Sequence, residues 1–151
     1  MLVKERKSRK KILGFTLLEL LVVILILGLL AGIVIPRIVG RVDQAKYEST
    51  RIQLKALKSA LEQFRMDNGF YPTTEQGLRA LVEKPEIPPF PKRWHSYLDE
   101  LPMDGWGNEF VYFSPGEKGR PYELFSVGPD GIEGTEDDIS VWELVKRNQE
   151  S

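Results

Sequence analysis

Residues 14–36 read GFTLLELLVVILILGLLAGIVIP, and this stretch decides the fold. Between Phe15 and Ile35 only Thr16 and Glu19 are polar. Because a helix rises about 1.5 Å per residue, a run of this length spans a bilayer, and we expect a transmembrane helix. A carboxylate inside such a segment costs several kcal/mol unless it is paired, which marks Glu19 as a candidate functional residue.

The segment before the apolar run is strongly basic. Residues 1–14 carry six Lys and Arg and one Glu, whereas the whole chain has a formal net charge of −1. Basic residues beside an apolar span are typical of the cytoplasmic flank of a membrane anchor, so the positive-inside rule explains them better than nucleic-acid binding does. The run is too long for a secretory signal peptide, and the conspicuous small residue, Gly14, precedes it.

The helical pattern continues beyond Pro36. Apolar and small residues recur at spacings of three and four, and charged residues fill the other faces. One apolar stripe contains Leu54, Leu57, Leu61 and Phe64. Asn68-Gly69 is a helix stop signal, so we expect one helix from Thr16 to about Asp67, half in lipid and half packed on a small domain.

The remaining sequence predicts a short helix and a small sheet. Thr73 and Gln76 have capping-box spacing and favour a short helix through about Val82. The predicted strands are Phe110–Ser114, Tyr122–Val127 and, as a strand or an extended segment, Ile139–Leu144. The fold class we expect is therefore α+β, with a long N-terminal helix packed on a small antiparallel sheet.

The composition excludes several kinds of chemistry. The chain has no cysteine and a single histidine, His95, so disulfides, thiol catalysis and the common zinc sites are excluded. His95 has no nucleophile or oxyanion motif near it in the sequence, and the acidic residues around the proline-rich segment 84–93 have nothing that fixes their separation. We therefore expect that the chain is not an enzyme. A metal held by oxygen ligands remains possible.

An acidic, glycine-rich segment follows the predicted hairpin. Asp130, Asp137 and Asp138 fall within nine positions, and carboxylate and carbonyl oxygens are the ligands of calcium. The spacing is not that of an EF-hand, because the third and fifth positions counted from Asp130 carry no oxygen side chain. From the residues alone, a solvated acidic turn and a calcium site both remain open.

The N-terminal motif resembles that of the type IV pilin and pseudopilin superfamily. Gly14 directly precedes Phe15, and Glu19 is the fifth residue counted from Phe15. In that superfamily a prepilin peptidase cuts after the glycine and methylates the new N-terminal residue. The resemblance implies cleavage between Gly14 and Phe15, N-methylation of Phe15, and pairing of the Glu19 carboxylate with the Phe15 amine of a neighbouring subunit.

Three further motifs resemble the major pseudopilins of the type II secretion system, the protein G family. They are YPTTEQGL at 71–78, DGWGN at 104–108 and SVGPDG at 126–131. That family binds a structural calcium in its C-terminal loop. The ligands that the resemblance implies are the side chains of Asp130, Asp137 and Asp138 and the Val127 carbonyl, with Ser126 and Ile139 as further candidates.

The resemblance also implies an organisation and a role. It divides the chain into a cleaved basic leader (1–14), a transmembrane and assembly helix (15–36) and a periplasmic domain (37–148). The subunit would sit in the bacterial inner membrane as a single-pass protein with a cytoplasmic N-terminus. It would polymerise into a helical homo-oligomeric fibre in the periplasm, which drives folded proteins through an outer-membrane secretin.

The implied partners are minor pseudopilins, the prepilin peptidase, the inner-membrane assembly platform and the secretin. Three other functions stay open. The first is a type IV pilin or minor pseudopilin for adhesion or motility. The second is a membrane-anchored calcium-binding module that does not polymerise, and the third is a periplasmic hydrolase without a recognisable motif.

Overall fold

The computed structural model describes residues 14–149, and of residues 33–40 and 147–149 it describes the backbone alone. The predicted leader thus lies outside the described residues, apart from Gly14. The elements are α1 (Leu17–Asn68), a 3₁₀ turn (Leu78–Leu81), β1 (Val111–Phe113), β2 (Glu123–Ser126), β3 (Ile139–Ser140) and α2 (Val141–Gln149). The chain divides into two compact units between Arg41 and Val42.

Helix α1 begins and ends within one residue of the predicted positions. Thr16 caps its N-terminus, because the Thr16 hydroxyl accepts a hydrogen bond from the Glu19 backbone N–H at 3.2 Å. Glu19 therefore lies in the first turn, where a carboxylate interacts favourably with the positive end of the helix dipole. The C-terminus of the helix is closed by the Gly69 N–H, which donates to the Arg65 carbonyl at 2.7 Å.

The first unit has no core of its own among the described side chains. Every large apolar side chain between Phe15 and Leu30 is exposed, from 44% at Val22 to 88% at Leu17. Within the part of the chain that the structure describes, no helix combines the length and the apolar content that a membrane crossing requires.

The core of the second unit is built on one face of α1. The predicted stripe of Leu54, Leu57, Leu61 and Phe64 is confirmed, and all four side chains are fully buried. They belong to one cluster with side chains from the 3₁₀ turn, the sheet and α2, among them Leu81, Phe110, Tyr122, Leu124 and Val141. A helix with a single apolar stripe is stabilised by such a surface, and its charged faces stay in solvent.

The sheet has three antiparallel strands in the order β1-β2-β3. The predicted hairpin is confirmed, with Val111 opposite Phe125, although both strands are shorter than predicted. Strand β2 is central, and its last residue, Ser126, pairs with Ile139 at the start of β3. The acidic segment therefore connects two neighbouring strands whose ends meet.

The predicted capping box is also confirmed. Gln76 Oε1 accepts from the Thr73 N–H at 3.1 Å, and the Thr73 hydroxyl accepts from the Gln76 N–H at 3.2 Å. The short helix predicted through about Val82 is a 3₁₀ turn over Leu78–Leu81 and does not begin directly at the capping box. The reason is Gly77, whose φ of 60° lies outside the helical region and separates the capping box from the turn.

The prediction of strand or extended structure over Ile139–Leu144 is wrong beyond Ser140. From Val141 the chain is helical, because the Ser140 hydroxyl accepts from the Trp142 N–H at 3.3 Å and caps α2. Val141 and Leu144 are both buried, and a spacing of three places them on one face of a helix. The signal in the sequence is a second capping-box pattern, Ser140-Val141-Trp142-Glu143.

Three tyrosines of the second unit have raised pKa values. Burial, followed by the hydrogen bond from its hydroxyl to Asp67, raises the pKa of Tyr97 to about 12. Burial also raises the pKa values of Tyr112 and Tyr122. The Tyr112 hydroxyl donates to the Pro72 carbonyl at 2.7 Å, whereas the Tyr122 hydroxyl is buried and has no hydrogen-bond partner among the described residues.

We predict that the second unit loses stability as the pH rises above 10. These tyrosines lose their protons at a lower pH in the unfolded chain than in the folded one. At pH values between the two pKa values the unfolded chain therefore binds fewer protons, and the free energy of unfolding falls as the pH rises. Tyr122→Phe should weaken this dependence and leave stability at neutral pH unchanged or higher, because it removes an unpaired buried hydroxyl. Near-UV circular dichroism during thermal unfolding measures both effects.

Tyr112→Phe is the matched control. It removes a hydroxyl that donates a hydrogen bond and should cost about 1 kcal/mol at neutral pH. A loss of stability from Tyr122→Phe as large as that from Tyr112→Phe would show that the Tyr122 hydroxyl has a partner after all.

Candidate functional sites

The N-terminal motif lies at the start of α1. Gly14 and Phe15 directly precede the helix, and Phe15 is 81% exposed. The Glu19 side chain is exposed in the first turn, and within residues 14–149 its carboxylate forms no ion pair. The geometry thus leaves this carboxylate accessible to a partner outside the chain.

The acidic loop, residues 127–138, joins β2 to β3. Two backbone contacts close its base. Ser126 pairs with Ile139, and Gly128 lies close to the backbone of Asp137. A Cβ atom on Gly128 would overlap the carbonyl oxygen of Asp137, so only glycine fits there. Val127, whose carbonyl is a predicted ligand, therefore directly precedes the glycine that packs against the backbone of Asp137.

The three aspartates of the loop have different environments. Asp130 is exposed, and its Oδ1 accepts from the Ile132 N–H at 2.9 Å. Asp138 is half-buried, and its Oδ2 accepts from the Gly134 N–H at 2.9 Å. Asp138 Oδ1 is buried, and no donor among the described residues reaches it. Asp137 is exposed.

The donor chemistry of this loop fits a hard cation. Its polar groups are carboxylates and carbonyls, and a buried carboxylate oxygen without a hydrogen-bond donor is a group that a cation would satisfy. The side chains do not by themselves form a cage, because no three His, Cys, Asp or Glu residues within the described part of the chain are grouped so that they could hold a metal ion. The side chains of Asp130, Asp137 and Asp138 are thus not brought together as one ligand set here, and a calcium site would need the loop to draw them closer and backbone oxygens to complete the coordination.

Ser126, a candidate ligand, is part of a buried polar network. Its hydroxyl donates to Asp104 Oδ2 at 2.7 Å and accepts from the Gly128 N–H at 3.1 Å. The other oxygen of Asp104 accepts from the N–H groups of Trp106 and Asn108 at 2.9 and 2.8 Å. The Asn108 amide then donates to the Gly128 carbonyl at 3.1 Å, so the turn at 104–108 supports the base of the acidic loop.

The same turn is attached to α1. The Gly105 N–H donates to the Thr50 hydroxyl at 2.9 Å, and that hydroxyl donates to the Lys46 carbonyl. The Trp106 ring packs edge-on against Tyr47, with the ring centroids 4.8 Å apart. The roles of Asp104 and Thr50 are not visible in the sequence, because the bonds from Ser126 to Asp104 and from Gly105 to Thr50 join residues 22 and 55 positions apart. The only signal was the turn motif itself.

A long helix packed on a small antiparallel sheet, with a glycine–phenylalanine junction before the helix and an acid in its first turn, is the architecture of a pilin-like subunit. Two family models agree with this class. The prokaryotic N-terminal methylation motif matches residues 9–35, and type II secretion system protein G matches residues 37–142. The chain belongs to the protein G family of the type II secretion system.

Individual relatives give the same result. The type II secretion system core protein G of Pseudomonas aeruginosa is 47% identical over 141 residues, which cover 90% of this chain and 99% of the relative. That of Escherichia coli is 46% identical over 138 residues, 90% of this chain and 94% of the relative. A solved structure also matches, the crystal structure of the major pseudopilin from the type 2 secretion system of enterohaemorrhagic Escherichia coli. Its sequence is 44% identical to this chain, and the match has a TM-score of 0.63 and covers 70% of this chain and 93% of that chain.

These matches confirm the family and the α+β fold that the sequence predicted. They favour a core pseudopilin over the alternatives of a type IV pilin and a minor pseudopilin. Because the family is one of structural subunits, the prediction that the chain is not an enzyme is confirmed as well.

We predict that Gly105→Ala destabilises the second unit by about 2 kcal/mol or more, because a Cβ atom there would overlap the Lys46 backbone and push the turn off the helix. Gly107→Ala is the control: its φ of 88° makes alanine unfavourable by about 1 kcal/mol, but the added Cβ would meet no atom within 4 Å. Thermal unfolding of the two variants measures the difference. Equal losses of stability in the Gly105→Ala and Gly107→Ala variants would show that the turn is not packed against α1.

Proposed function

We propose that the chain is a structural subunit of the type II secretion pseudopilus and polymerises through the apolar half of α1. The observation that carries this proposal is the exposure of every large apolar side chain from Phe15 to Leu30 in a member of the protein G family. An apolar surface of this extent is not stable in water, so it needs either lipid or other copies of itself.

The apolar half of α1 would serve in both surroundings in turn. Before assembly it anchors the subunit in the bacterial inner membrane as a single span, with the basic N-terminus in the cytoplasm and the second unit in the periplasm. In the fibre the same side chains pack against neighbouring copies. Identical subunits that join head to tail form an open filament, and such a filament can grow from the membrane by addition at its base.

Processing precedes assembly in this proposal. A prepilin peptidase cuts between Gly14 and Phe15 and methylates the amine of Phe15, in agreement with the methylation motif over residues 9–35. The new amine of one subunit then pairs with the Glu19 carboxylate of the next. Pairing offsets the cost of placing either charge in an apolar environment, so the pair aligns the incoming subunit by one specific contact.

The fibre would act with other components of the secretion system. Minor pseudopilins, the inner-membrane assembly platform and the outer-membrane secretin are the partners that the family implies, and an assembly ATPase in the cytoplasm would supply the work. The growing fibre would push folded proteins through the secretin.

We further propose that the acidic loop binds a structural calcium ion. Asp130, Asp137 and Asp138 would hold it with their side chains and Val127 with its carbonyl, and Ser126 and Ile139 are further candidates. Calcium would supply positive charge that neutralises the loop carboxylates and ties the loop together. Support comes from the all-oxygen donor set and from the buried Oδ1 of Asp138, which receives no hydrogen bond from the described residues.

We predict that Glu19→Ala leaves cleavage after Gly14 intact but impairs fibre assembly. The peptidase acts on the junction before Phe15, whereas the carboxylate is needed only when a second subunit arrives. Cleavage is measured by mass spectrometry of the purified protein, and fibres by electron microscopy of cells that express the chain with its peptidase.

Glu19→Asp is the matched control for this experiment, because it keeps the charge with a shorter side chain and should retain part of the assembly. Fibres of normal number and length from Glu19→Ala would refute the proposed role of Glu19.

We predict that Asp137→Ala and Asp138→Ala abolish the rise in melting temperature that calcium gives the wild-type chain. An ion present at 100 times its Kd stabilises the folded state by about 2.7 kcal/mol, and this increment disappears with the site. The full chain in detergent is suitable for the measurement, because all three tryptophans and five tyrosines lie at or beyond residue 47 and report on the second unit.

Glu133→Ala, which removes a loop carboxylate outside the proposed ligand set, should respond to calcium as the wild type does. If the wild-type chain melts at the same temperature in calcium and in chelator, the calcium proposal is wrong.

A further inference from the structure

A small cavity lies between α1, the end of the acidic loop and α2. Its volume is about 190 Å³. Tyr47 and Arg51 line it from α1, residues 136–139 from the loop and β3, and Glu143 and Leu144 from α2. Four carboxylates and one guanidinium therefore face the same space, so the cavity has an excess of negative charge.

Two residues that line this cavity each have a buried polar atom without a hydrogen-bond partner. These atoms are Nε of Arg51, a donor, and Oδ1 of Asp138, an acceptor, and within residues 14–149 neither forms a hydrogen bond. Each side chain has another polar atom that is hydrogen-bonded. Arg51 Nη1 donates to Glu48 at 2.9 Å, and Asp138 Oδ2 accepts from the Gly134 N–H at 2.9 Å.

Arg51 and Asp138 line the same cavity without a direct ion pair. No ion pair joins Arg51 to Asp138 within 4.0 Å in the described part of the chain, so a direct contact does not satisfy the two unpaired atoms. Because both side chains line one cavity of about 190 Å³, their opposite charges attract each other through space without a hydrogen bond between them. A guanidinium also stays charged at every accessible pH, so Arg51 contributes a fixed positive charge beside the loop.

We propose that Arg51 is a built-in counter-charge of the acidic loop and sets how tightly the loop binds a divalent cation. This inference rests on the proposed calcium site. Without calcium, the guanidinium offsets the repulsion among Glu136, Asp137 and Asp138 and holds the loop on α1. With calcium bound, the same charge opposes the ion. Arg51 therefore stabilises the calcium-free protein and lowers its affinity for calcium.

The test is Arg51→Met, which keeps the aliphatic stem and removes the charge. The calcium-free variant should melt at a lower temperature than the wild type, while the two proteins differ less in saturating calcium. Because destabilising the free form more than the bound form tightens binding, calcium affinity should rise about three- to tenfold, the effect expected of one partly screened charge on a divalent ion. Isothermal titration of the full chain in detergent with calcium alone gives the affinity.

Two further variants separate this role from a merely structural one. Arg51→Lys keeps the charge and should restore the weaker wild-type affinity. Lys55→Met removes an equal charge from a solvent-exposed side chain that does not line the cavity, and should change the affinity much less because solvent screens this charge. Should Arg51→Met fail to give a native near-UV spectrum, Arg51→Gln provides the same loss of charge with a polar side chain.

Each outcome bears on one of the two proposals. Wild-type and Arg51→Met proteins with equal affinities, or a weaker affinity in the variant, would overturn the role of Arg51 while the calcium site stands. A rise in affinity that Lys55→Met reproduces would reduce the effect to overall charge and also overturn it. If the wild type itself does not bind calcium, the calcium proposal fails, and with it the role of Arg51 in setting affinity.

Discussion

The buried carboxylate of Asp104 is the interaction on which the second unit depends. A charge that is withdrawn from water costs several kcal/mol unless it is fully hydrogen-bonded, and this one receives donors from its own turn and from Ser126. The turn that it shapes is held against α1 through Thr50, and through Asn108 it supports the base of the acidic loop. One carboxylate thus links the helix, the sheet and the candidate calcium loop.

Helix α1 shows how one regular element can meet two different requirements. Its second half has a single apolar stripe, and the sheet and α2 cover that stripe within the chain. Its first half is apolar on all sides, and nothing described in the chain covers it. A helix that is hydrophobic all round requires an apolar environment from outside. In the proposed function, this difference between the two halves of one helix is what allows the subunit to polymerise.

Much of the fold was predictable because its signals are local. The apolar periodicity of α1, the capping box of Thr73 and Gln76 and the aromatic hairpin each depend on residues within a few positions. The prediction failed at Gly77, where one backbone angle separates the short helix from the capping box, and at Ser140, where the capping pattern was read as strand. At the sites, the motif around Phe15 and the loop aspartates are visible in the sequence, whereas the network of Asp104 and the position of Arg51 beside the loop arise only in the folded chain.

The closed base of the acidic loop has a consequence for how this protein can vary. Backbone pairing at Ser126 and the tight approach of Gly128 to Asp137 fix the two ends of the loop, while residues 130–134 at its tip are exposed. Because the entropy of closing a loop grows only slowly with its length, extra residues at the tip cost little once the ends are fixed. The tip, between Gly131 and Glu133 and outside the proposed ligands, is thus the place where a peptide tag could be inserted without disturbing the sheet below it.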